Sequence, residues 1–144
     1  MILCDVNVLV AAFLDSHPHH GLARSRLDGC WAAQKPFALA EIILAAAVRI
    51  LTNPRIFADP VSPLEAFQAT DKLRTYPGAR LLAPGGEHWH IFRELVLSTR
   101  LRGGDVSDAY FAALAIEHGA EWWTLDQGFA RFPSLKWRNL LKDP

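Results

Sequence analysis

The chain has 144 residues, and 51% of them are apolar, which is enough for one domain with a sizeable core and excludes an intrinsically disordered chain. Its 15 basic and 15 acidic residues give a formal net charge of zero. The total therefore does not indicate a strongly basic, nucleic-acid-binding surface, although charge can still be segregated locally.

The first half of the chain predicts short strands alternating with helices. "ILCDV" is typical of a buried strand, and "NVLVAAFL" of a buried helix. Residues 19–33 carry apolar side chains at helical spacing, "FAL" predicts a second strand, and "AEIILAAAVRILT" predicts a nearly all-apolar helix that is either central or at a subunit interface. Ser62, followed by Pro63 and Glu65, predicts a capping box at the start of the next helix.

The second half continues the same alternation. "ARLLAP" predicts a third strand, and "GEHWHIFRELVLSTRL" predicts an amphipathic helix. The apolar stripe of that helix comprises Trp89, Phe92, Leu95, Val96 and Thr99. "SDAYFAALAIEHG" predicts a helix capped by Ser107 and ended by Gly119, "EWWTL" a fourth strand, and "KWRNL" a last one. This order predicts an α/β sandwich with a mostly parallel sheet.

The cysteines and the N-terminus argue against several classes of protein. Cys4 and Cys30 form no CxxC motif, so we expect neither a zinc site nor a disulfide framework. The start "MILCDVNVLV" has no basic region and is interrupted by Asp5, unlike a signal peptide. No apolar run approaches the roughly 20 residues that span a membrane. We therefore expect a cytoplasmic protein without membrane association.

Acidic side chains follow three of the four main predicted strands. Asp5 ends the first strand, Glu41 comes directly after the second, and Asp126 ends the fourth. Because the carboxyl ends of parallel strands share one edge of a sheet, we expect these three carboxylates to converge. Asp108 opens the helix before the fourth strand, and its placement at the same edge is left open by the sequence.

A cluster of such acids has a chemical implication. Like charges raise one another's pKa values unless a cation compensates, and hard oxygen ligands favour Mg²⁺ or Mn²⁺. These ions hydrolyse phosphodiesters by activating water and stabilising the leaving oxygen. Taken alone, Asp108 or Asp126 is better interpreted as a helix cap or dipole partner. The ordered set of strand-end acids favours the metal site.

Three ordered blocks, "CDVNVLV", "EIILAAAVRILTNPRIF" and "SDAYFAALAIEHGAEWWTLDQGFARFPSLKW", resemble PIN-domain ribonucleases, and more narrowly the VapC toxins of type II toxin–antitoxin pairs. The resemblance covers nearly the whole chain. It implies a single PIN domain over residues 1–144, folded as a three-layer α/β/α sandwich. It also implies an Mg²⁺-dependent (or Mn²⁺-dependent) endoribonuclease that cleaves tRNA or rRNA and so inhibits translation.

The resemblance also implies roles for particular residues. The catalytic acids would be Asp5, Glu41, Asp108 and Asp126, and the first, third and fourth of these would bind the metal. Asn7 and Thr124 match polar partners that orient the ligands.

The chain departs from the pattern of many relatives at three positions. Gly128 stands where they have a second aspartate. Asp105 is an extra acid in the glycine loop, and we interpret it as a loop residue. Glu41 lies closer to its strand than in some relatives, but neither Ala45 nor Ala46 offers an alternative acid.

The resemblance implies RNA and protein partners. Arg100 and Arg102, next to the acidic pocket, are the first candidates for RNA contacts. Others are Arg131, Lys136 and Arg138. A VapB-like antitoxin would lie in an apolar groove and insert an arginine into the pocket. Candidate groove residues are Leu9, Phe13, Leu22 and Phe67. A homodimer would form through the helices that contain "ILAAAVRIL" and "HIFRELVL".

Three other functions stay open at this point. A nuclease related to flap nucleases would need extra DNA-binding modules, for which the chain is short. A catalytically inactive PIN-like module that binds RNA or protein is supported by Gly128 and opposed by the complete set of four acids. A receiver-like phosphoacceptor domain would need a lysine after its last strand and paired acids after its first, and neither is clear.

Overall fold

A computed structural model describes residues 1–143 and shows a five-stranded sheet in which every pairing is parallel. The strands lie in the order β3-β2-β1-β4-β5. Their bounds are Ile2–Cys4 (β1), Phe37–Ala40 (β2), Ala79–Leu82 (β3), Glu121–Thr124 (β4) and Trp137–Asn139 (β5). The predicted sheet, including its last strand, is confirmed.

Six α-helices and two short 3₁₀ helices connect the strands. The α-helices are Val6–Phe13 (α1), His20–Ala32 (α2), Glu41–Leu51 (α3), Pro63–Arg74 (α4), His88–Thr99 (α5) and Val106–Glu117 (α6). The 3₁₀ helices are Gly103–Asp105 and Gln127–Arg131. The connections β1–β2 and β2–β3 run one way along the sheet, and β3–β4 runs back across it. Because such crossovers are right-handed, the helices of the two directions cover opposite faces, which confirms the α/β/α sandwich.

The core follows from this arrangement. The central strands are buried on both faces and read as continuous apolar runs, with Leu3, Ala38 and Trp122 almost fully covered. The Trp122 ring lies between Phe111, at a centroid distance of 6.0 Å, and Phe129, at 5.4 Å. The edge strands β3 and β5 are only partly buried. The buried centre of the sheet thus provides a rigid base for the side chains at its ends.

Several helix ends agree with prediction, and two details do not. The capping box is present, since the Glu65 N–H donates to Ser62 Oγ at 3.2 Å. Gly119 ends α6 with a φ of 64°. The prediction that Ser107 caps α6 is wrong, because the preceding 3₁₀ turn starts the helix at Val106 and places Ser107 inside its first turn. Trp89, predicted on the apolar stripe, is 69% exposed.

One carboxylate joins α5 to α6. Glu117, in the last turn of α6, accepts the backbone N–H groups of Gly85, Glu87 and His88 at 2.9, 3.1 and 3.1 Å. These are donors at the N-terminus of α5, which a helix leaves without internal partners. The contact spans about 30 residues and has no local sequence signal. It fixes the helix pair whose second member carries Asp108.

The topology determines where a ligand can bind. From β1 the chain moves outward to β2 and β3, then returns to the other side of β1 for β4 and β5. The strand order therefore reverses between β1 and β4. In open parallel sheets, ligands bind beyond the carboxyl ends of the strands at such a point. Within residues 1–143, none of the helices has the length and apolar character to cross a membrane.

Candidate active site

Asp5 lies at the centre of the carboxyl edge of the sheet. It follows β1 directly and occupies the N-cap position of α1. Its residue surface is only 7% exposed. Parallel pairing of Cys4 with Trp123 brings Asp5 alongside the end of β4, and the Thr124 hydroxyl donates to Asp5 Oδ2 at 2.6 Å. A carboxylate is thus held, almost buried, at the point where the strand order reverses.

The hydroxyl of Thr124 connects three parts of this edge. Thr124 is completely buried. Besides donating to Asp5, its Oγ1 accepts Asn7 Nδ2 at 3.2 Å and the Asp126 N–H at 3.0 Å. Asn7 Oδ1 in turn accepts the Leu125 N–H at 3.1 Å. A hydroxyl has one donor and two acceptor positions, and all three are used here. Asn7 and Thr124 are therefore placed to hold the Asp5 carboxylate in one orientation.

Asp126 follows β4 and caps the short helix after it. Its Oδ1 accepts the Gly128 N–H at 2.7 Å, so the capping interpretation of this residue is confirmed. A Cβ atom at Gly128 would lie 3.2 Å from that same oxygen. A side chain there would crowd Asp126, and an acidic one would add charge to an already acidic edge. Glycine leaves Asp126 a close backbone donor.

The start of α6 also reaches the acidic edge, which the sequence left open. Arg131, at the end of the second 3₁₀ helix, donates through Nη2 to Asp108 Oδ2 at 2.6 Å. Its Nη1 lies 3.9 Å from Asp105 Oδ2. Asp105 is largely exposed and lies in the 3₁₀ turn, so it approaches the site through Arg131. Arg131 therefore lies within the acidic cluster, whereas the sequence predicted a position beside it.

Burial and neighbouring aspartates raise the pKa values of Asp5 and Asp108. Burial raises the pKa of Asp5 from its ordinary 3.8 to about 6; hydrogen bonds from the Thr124 hydroxyl and the Val6 N–H oppose the rise, and Asp108 and Asp126 add to it. Burial also raises the pKa of Asp108, in spite of Arg131. The positive charge of the Arg131 guanidinium is therefore smaller than the combined negative charge of these carboxylates.

Glu41 pairs with an arginine in this structure, and its predicted convergence with the three aspartates stays a prediction. It opens α3 beyond β2 as expected, but its Oε1 accepts Arg74 Nη1 at 2.6 Å. Its side chain is 63% exposed. An exposed glutamate gains more from a nearby guanidinium than from approaching other carboxylates, so it turns towards α4.

The donor chemistry of the site fits a hard divalent cation. Within residues 1–143, no three or more His, Cys, Asp or Glu side chains are grouped as a ready metal site. Nevertheless, Asp5, Asp108 and Asp126 supply the carboxylate oxygens that hard cations prefer, and one cation, the Arg131 guanidinium, already stands beside Asp108. The three aspartates could hold Mg²⁺ or Mn²⁺, with Asp108 leaving Arg131 to do so.

Other candidate cations lie around this edge or away from it. Arg100 ends α5 with a φ of 54°, and Arg102 precedes the 3₁₀ turn that contains Asp105; both are exposed. Arg138 points to the opposite edge, where it contacts Glu121 at 3.2 Å. Arg100 and Arg102 thus stay a prediction as RNA contacts, whereas Arg138 lies at the amino edge of the sheet.

Solved structures with low sequence identity share this fold. The structure of VapBC2 from Rickettsia felis bound to a DNA fragment from their promoter aligns with a TM-score of 0.70. The identity is 20%, and the alignment covers 96% of this chain and 98% of that one. VapC20 of Mycobacterium tuberculosis, described as a sarcin–ricin loop cleaving toxin, aligns with a TM-score of 0.66 at 17% identity, over 90% of this chain and 93% of that one.

Sequence comparison shows a closer relationship. A family model described as the PIN domain matches residues 2–135. Ribonuclease VapC43 of Mycobacterium tuberculosis is 41% identical over 141 residues, which are 98% of this chain and 96% of that protein. The match covers the edge with Asp5, Asn7, Asp108, Thr124 and Asp126. The chain belongs to the PIN-domain family and, within it, to the VapC ribonucleases.

Proposed function

We propose that this protein is the toxin of a type II toxin–antitoxin pair and an Mg²⁺-dependent endoribonuclease, with Mn²⁺ as an alternative ion. The observation that carries the proposal is the nearly buried Asp5, held by Thr124 beside Asp126 and Asp108 at the reversal point of the sheet. Membership in the VapC ribonucleases supports the same activity. Burying a carboxylate without a cation is costly, so the arrangement favours a site built for one.

The proposed mechanism assigns a task to each side chain. Asp5, Asp108 and Asp126 would hold the ion, while Thr124 and Asn7 orient Asp5. When bound, such an ion lowers the pKa of water and stabilises the leaving oxygen of a phosphodiester.

The proton of the attacking water needs an acceptor. Asp126 is our choice, because its carboxylate accepts a backbone N–H rather than a guanidinium. Glu41 is the alternative acceptor or a further ligand, and it would first have to leave Arg74.

We propose transfer or ribosomal RNA as the substrate class. VapC20, which shares the fold, is described as cleaving the sarcin–ricin loop. RNA must approach an edge that carries several negative charges, so nearby cations should hold its phosphates. Arg100 and Arg102 are exposed next to the turn that leads into α6, and they are the proposed phosphate contacts.

We propose that an antitoxin binds the groove between α1, α2 and α4. This cavity of about 520 Å³ is lined by Phe13, Trp31, Leu73 and Tyr76, with charged side chains at its rim. The solved VapBC2 structure supports an antitoxin partner.

The structure changes which residues can line this groove. Leu9, which the sequence suggested, is fully buried in the core. Leu22 lines a cavity at the amino edge of the sheet, and Phe67 a separate one between α3 and α4. Of the suggested residues, Phe13 lines the groove.

We also propose a homodimer through α3 and α5. Ile42 of α3 is exposed, and it borders a cavity of about 260 Å³ with Phe92, Tyr110 and Phe111. Trp89 is exposed on α5. Large exposed apolar side chains on neighbouring helices are typical of a protein interface.

RNA cleavage by the antitoxin-free protein tests the function. Total cellular RNA is incubated with wild type and Asp5→Asn in Mg²⁺ or Mn²⁺, and with wild type in EDTA. Discrete fragments with wild type that are absent in both controls support the proposal and identify the target. Folded wild type that cleaves nothing with either ion would instead favour an inactive RNA- or protein-binding module, for which Gly128 is the supporting observation.

A further inference from the structure

Arg131 lies inside the acidic edge, although the sequence placed it only among the flanking cations. It lies five residues after Asp126, at the end of the 3₁₀ helix that Asp126 caps. Its guanidinium is 2.6 Å from Asp108 and 3.9 Å from Asp105, and it also packs over the Phe132 ring at 5.2 Å. A positive side chain therefore occupies the part of the cluster where Asp108 would contribute to a metal site.

The pairing with Asp108 leaves Arg131 incompletely satisfied. Its Nε is buried and has no acceptor among residues 1–143. A buried donor without a partner is unfavourable. The observed ion pair is thus one that a better partner for either group can replace.

A guanidinium released at this point has an obvious second partner. Its planar fork of N–H donors matches the oxygens of a phosphate and can bind two of them at once. A phosphate held by an ion on Asp108 would lie close to that carboxylate. Arg131 contacts the same carboxylate directly, so a side-chain rotation would suffice to reach the phosphate.

We propose that Arg131 exchanges partners during the reaction: it pairs with Asp108 in the metal-free protein, yields Asp108 to the divalent cation, and then donates to the scissile phosphate. This inference rests on the proposed ribonuclease function and adds a catalytic residue to it. Arg131 thus lowers the affinity of the site for metal and raises the rate of cleavage.

These two effects have opposite signs, which separates the proposal from a purely structural ion pair. Loss of a structural arginine would loosen the pocket and weaken both metal binding and cleavage. Loss of an exchanging arginine removes a competitor of the metal and a contact to the substrate. Metal binding then becomes tighter while cleavage becomes slower.

The experiment measures Mn²⁺ binding by titration calorimetry and RNA cleavage on the same antitoxin-free preparations. We expect Arg131→Ala to bind Mn²⁺ about tenfold more tightly, as one competing ion pair is lost. We expect its kcat to fall about 10²-fold, as for loss of one donor to a developing charge. Arg131→Lys keeps the charge without the fork, so it should bind Mn²⁺ like wild type and still cleave about tenfold more slowly.

Arg138→Ala is the matched control. Arg138 also contacts two acids, Glu121 and Asp143, but at the opposite edge of the sheet. This variant carries the same change of charge and should leave Mn²⁺ affinity and cleavage unchanged. Circular dichroism in EDTA verifies folding, and if Arg131→Ala does not fold, the cleavage defect of Arg131→Lys at unchanged metal affinity decides the matter.

The outcomes separate this inference from the proposed function. If wild type binds Mn²⁺ and cleaves RNA but Arg131→Ala binds the ion no more tightly, the exchange is wrong and the ribonuclease assignment stands. If wild type fails to bind Mn²⁺ and Arg131→Ala binds it, competition by Arg131 is supported in its strongest form. If neither binds the ion, both the exchange and the metal-dependent function are wrong.

Discussion

The two edges of the sheet carry similar charged residues, but their carboxylates are paired at the amino edge and incompletely paired at the carboxyl edge. At the amino edge, Arg138 reaches Glu121 at 3.2 Å and Asp143 at 2.9 Å, and Trp123 Nε1 donates to Glu121 at 2.6 Å. Each acid there has a donor. At the carboxyl edge, the Arg131 guanidinium contacts Asp108 at 2.6 Å and Asp105 at 3.9 Å, and burial raises the pKa of Asp5 to about 6.

The difference shows how structural and functional charges can be distinguished. Charges that only maintain a fold are paired within it, and exposed pairs of this kind contribute little. Charged groups that bind a ligand are left without a full set of opposite charges in the free protein, and the ligand supplies the missing charge. Cavity size points elsewhere, because a cavity of about 750 Å³ lies at the amino edge beside Met1 and Lys35. The uncompensated carboxylates favour the carboxyl edge as the functional site, since the volume of a cavity does not by itself provide reactive groups.

The largest expected effect comes from removing the buried charge. Asp5→Asn should reduce RNA cleavage by about 10²–10³-fold or more, because the central carboxylate of the proposed metal site is lost. The same variant should be more stable than wild type in EDTA at neutral pH, because the costly buried charge is also lost. Cleavage assays and thermal unfolding measure the two effects. Near-normal cleavage by this variant would contradict the central role of Asp5.

The pH dependence of stability follows from the same group. The folded pKa of Asp5 is raised from 3.8 to about 6, so between these values the folded state binds more protons than the unfolded state. Metal-free protein should therefore lose about 2–3 kcal/mol of stability as the pH rises from about 4 to above about 6.

Denaturant unfolding in EDTA at several pH values measures this loss. The raised pKa of Asp108 acts in the same direction. Asp5→Asn is the control and should show a much flatter profile. Stability that rises through this window to the same extent in both proteins would contradict the assignment to Asp5.

An intermediate effect is expected at Thr124. Thr124→Val keeps the shape of the side chain but removes the donor to Asp5 and the acceptor for Asn7 and the Asp126 N–H. We expect a loss of about 1–3 kcal/mol in stability, because buried polar groups lose partners. Cleavage should fall about 10–100-fold as the ligand loses its orientation. Thr124→Ser retains the hydroxyl and should restore most of the cleavage activity.

The smallest effect is expected at the amino edge. Arg138→Ala removes an exposed arginine whose contacts only maintain the fold, so the Tm should change by no more than about 4 °C. RNA cleavage should stay at the wild-type rate. A marked loss of cleavage would mean that the amino edge also takes part in function, and the contrast between the two edges would fail.

The part of the site that could be predicted from the sequence is the part that topology determines. A parallel sheet brings the ends of neighbouring strands together whatever their side chains are, so Asp5 and Asp126 could be placed from their positions after β1 and β4. Thr124 and Asn7 were predicted from the resemblance alone, and their hydrogen bonds to this edge agree with it.

The choice of partner could not be predicted in the same way. Asp108 pairs with Arg131, 23 residues away, and Glu41 with Arg74, 33 residues away. Such contacts depend on rotamers and on the relative position of helices, which no periodic pattern encodes. Glu41 shows the result: its backbone lies beyond β2 as expected, but its carboxylate points to α4.

The hydroxyl of Thr124 determines which part of the proposed ion site is already arranged for binding. It already directs Asp5 in the metal-free chain, so that carboxylate is preorganised and needs little reorganisation. Asp108, by contrast, is paired with Arg131 at 2.6 Å and would have to leave it to bind the proposed ion. The cost of rearranging the proposed site would therefore fall on the α6 side, while the β1–β4 side is already arranged.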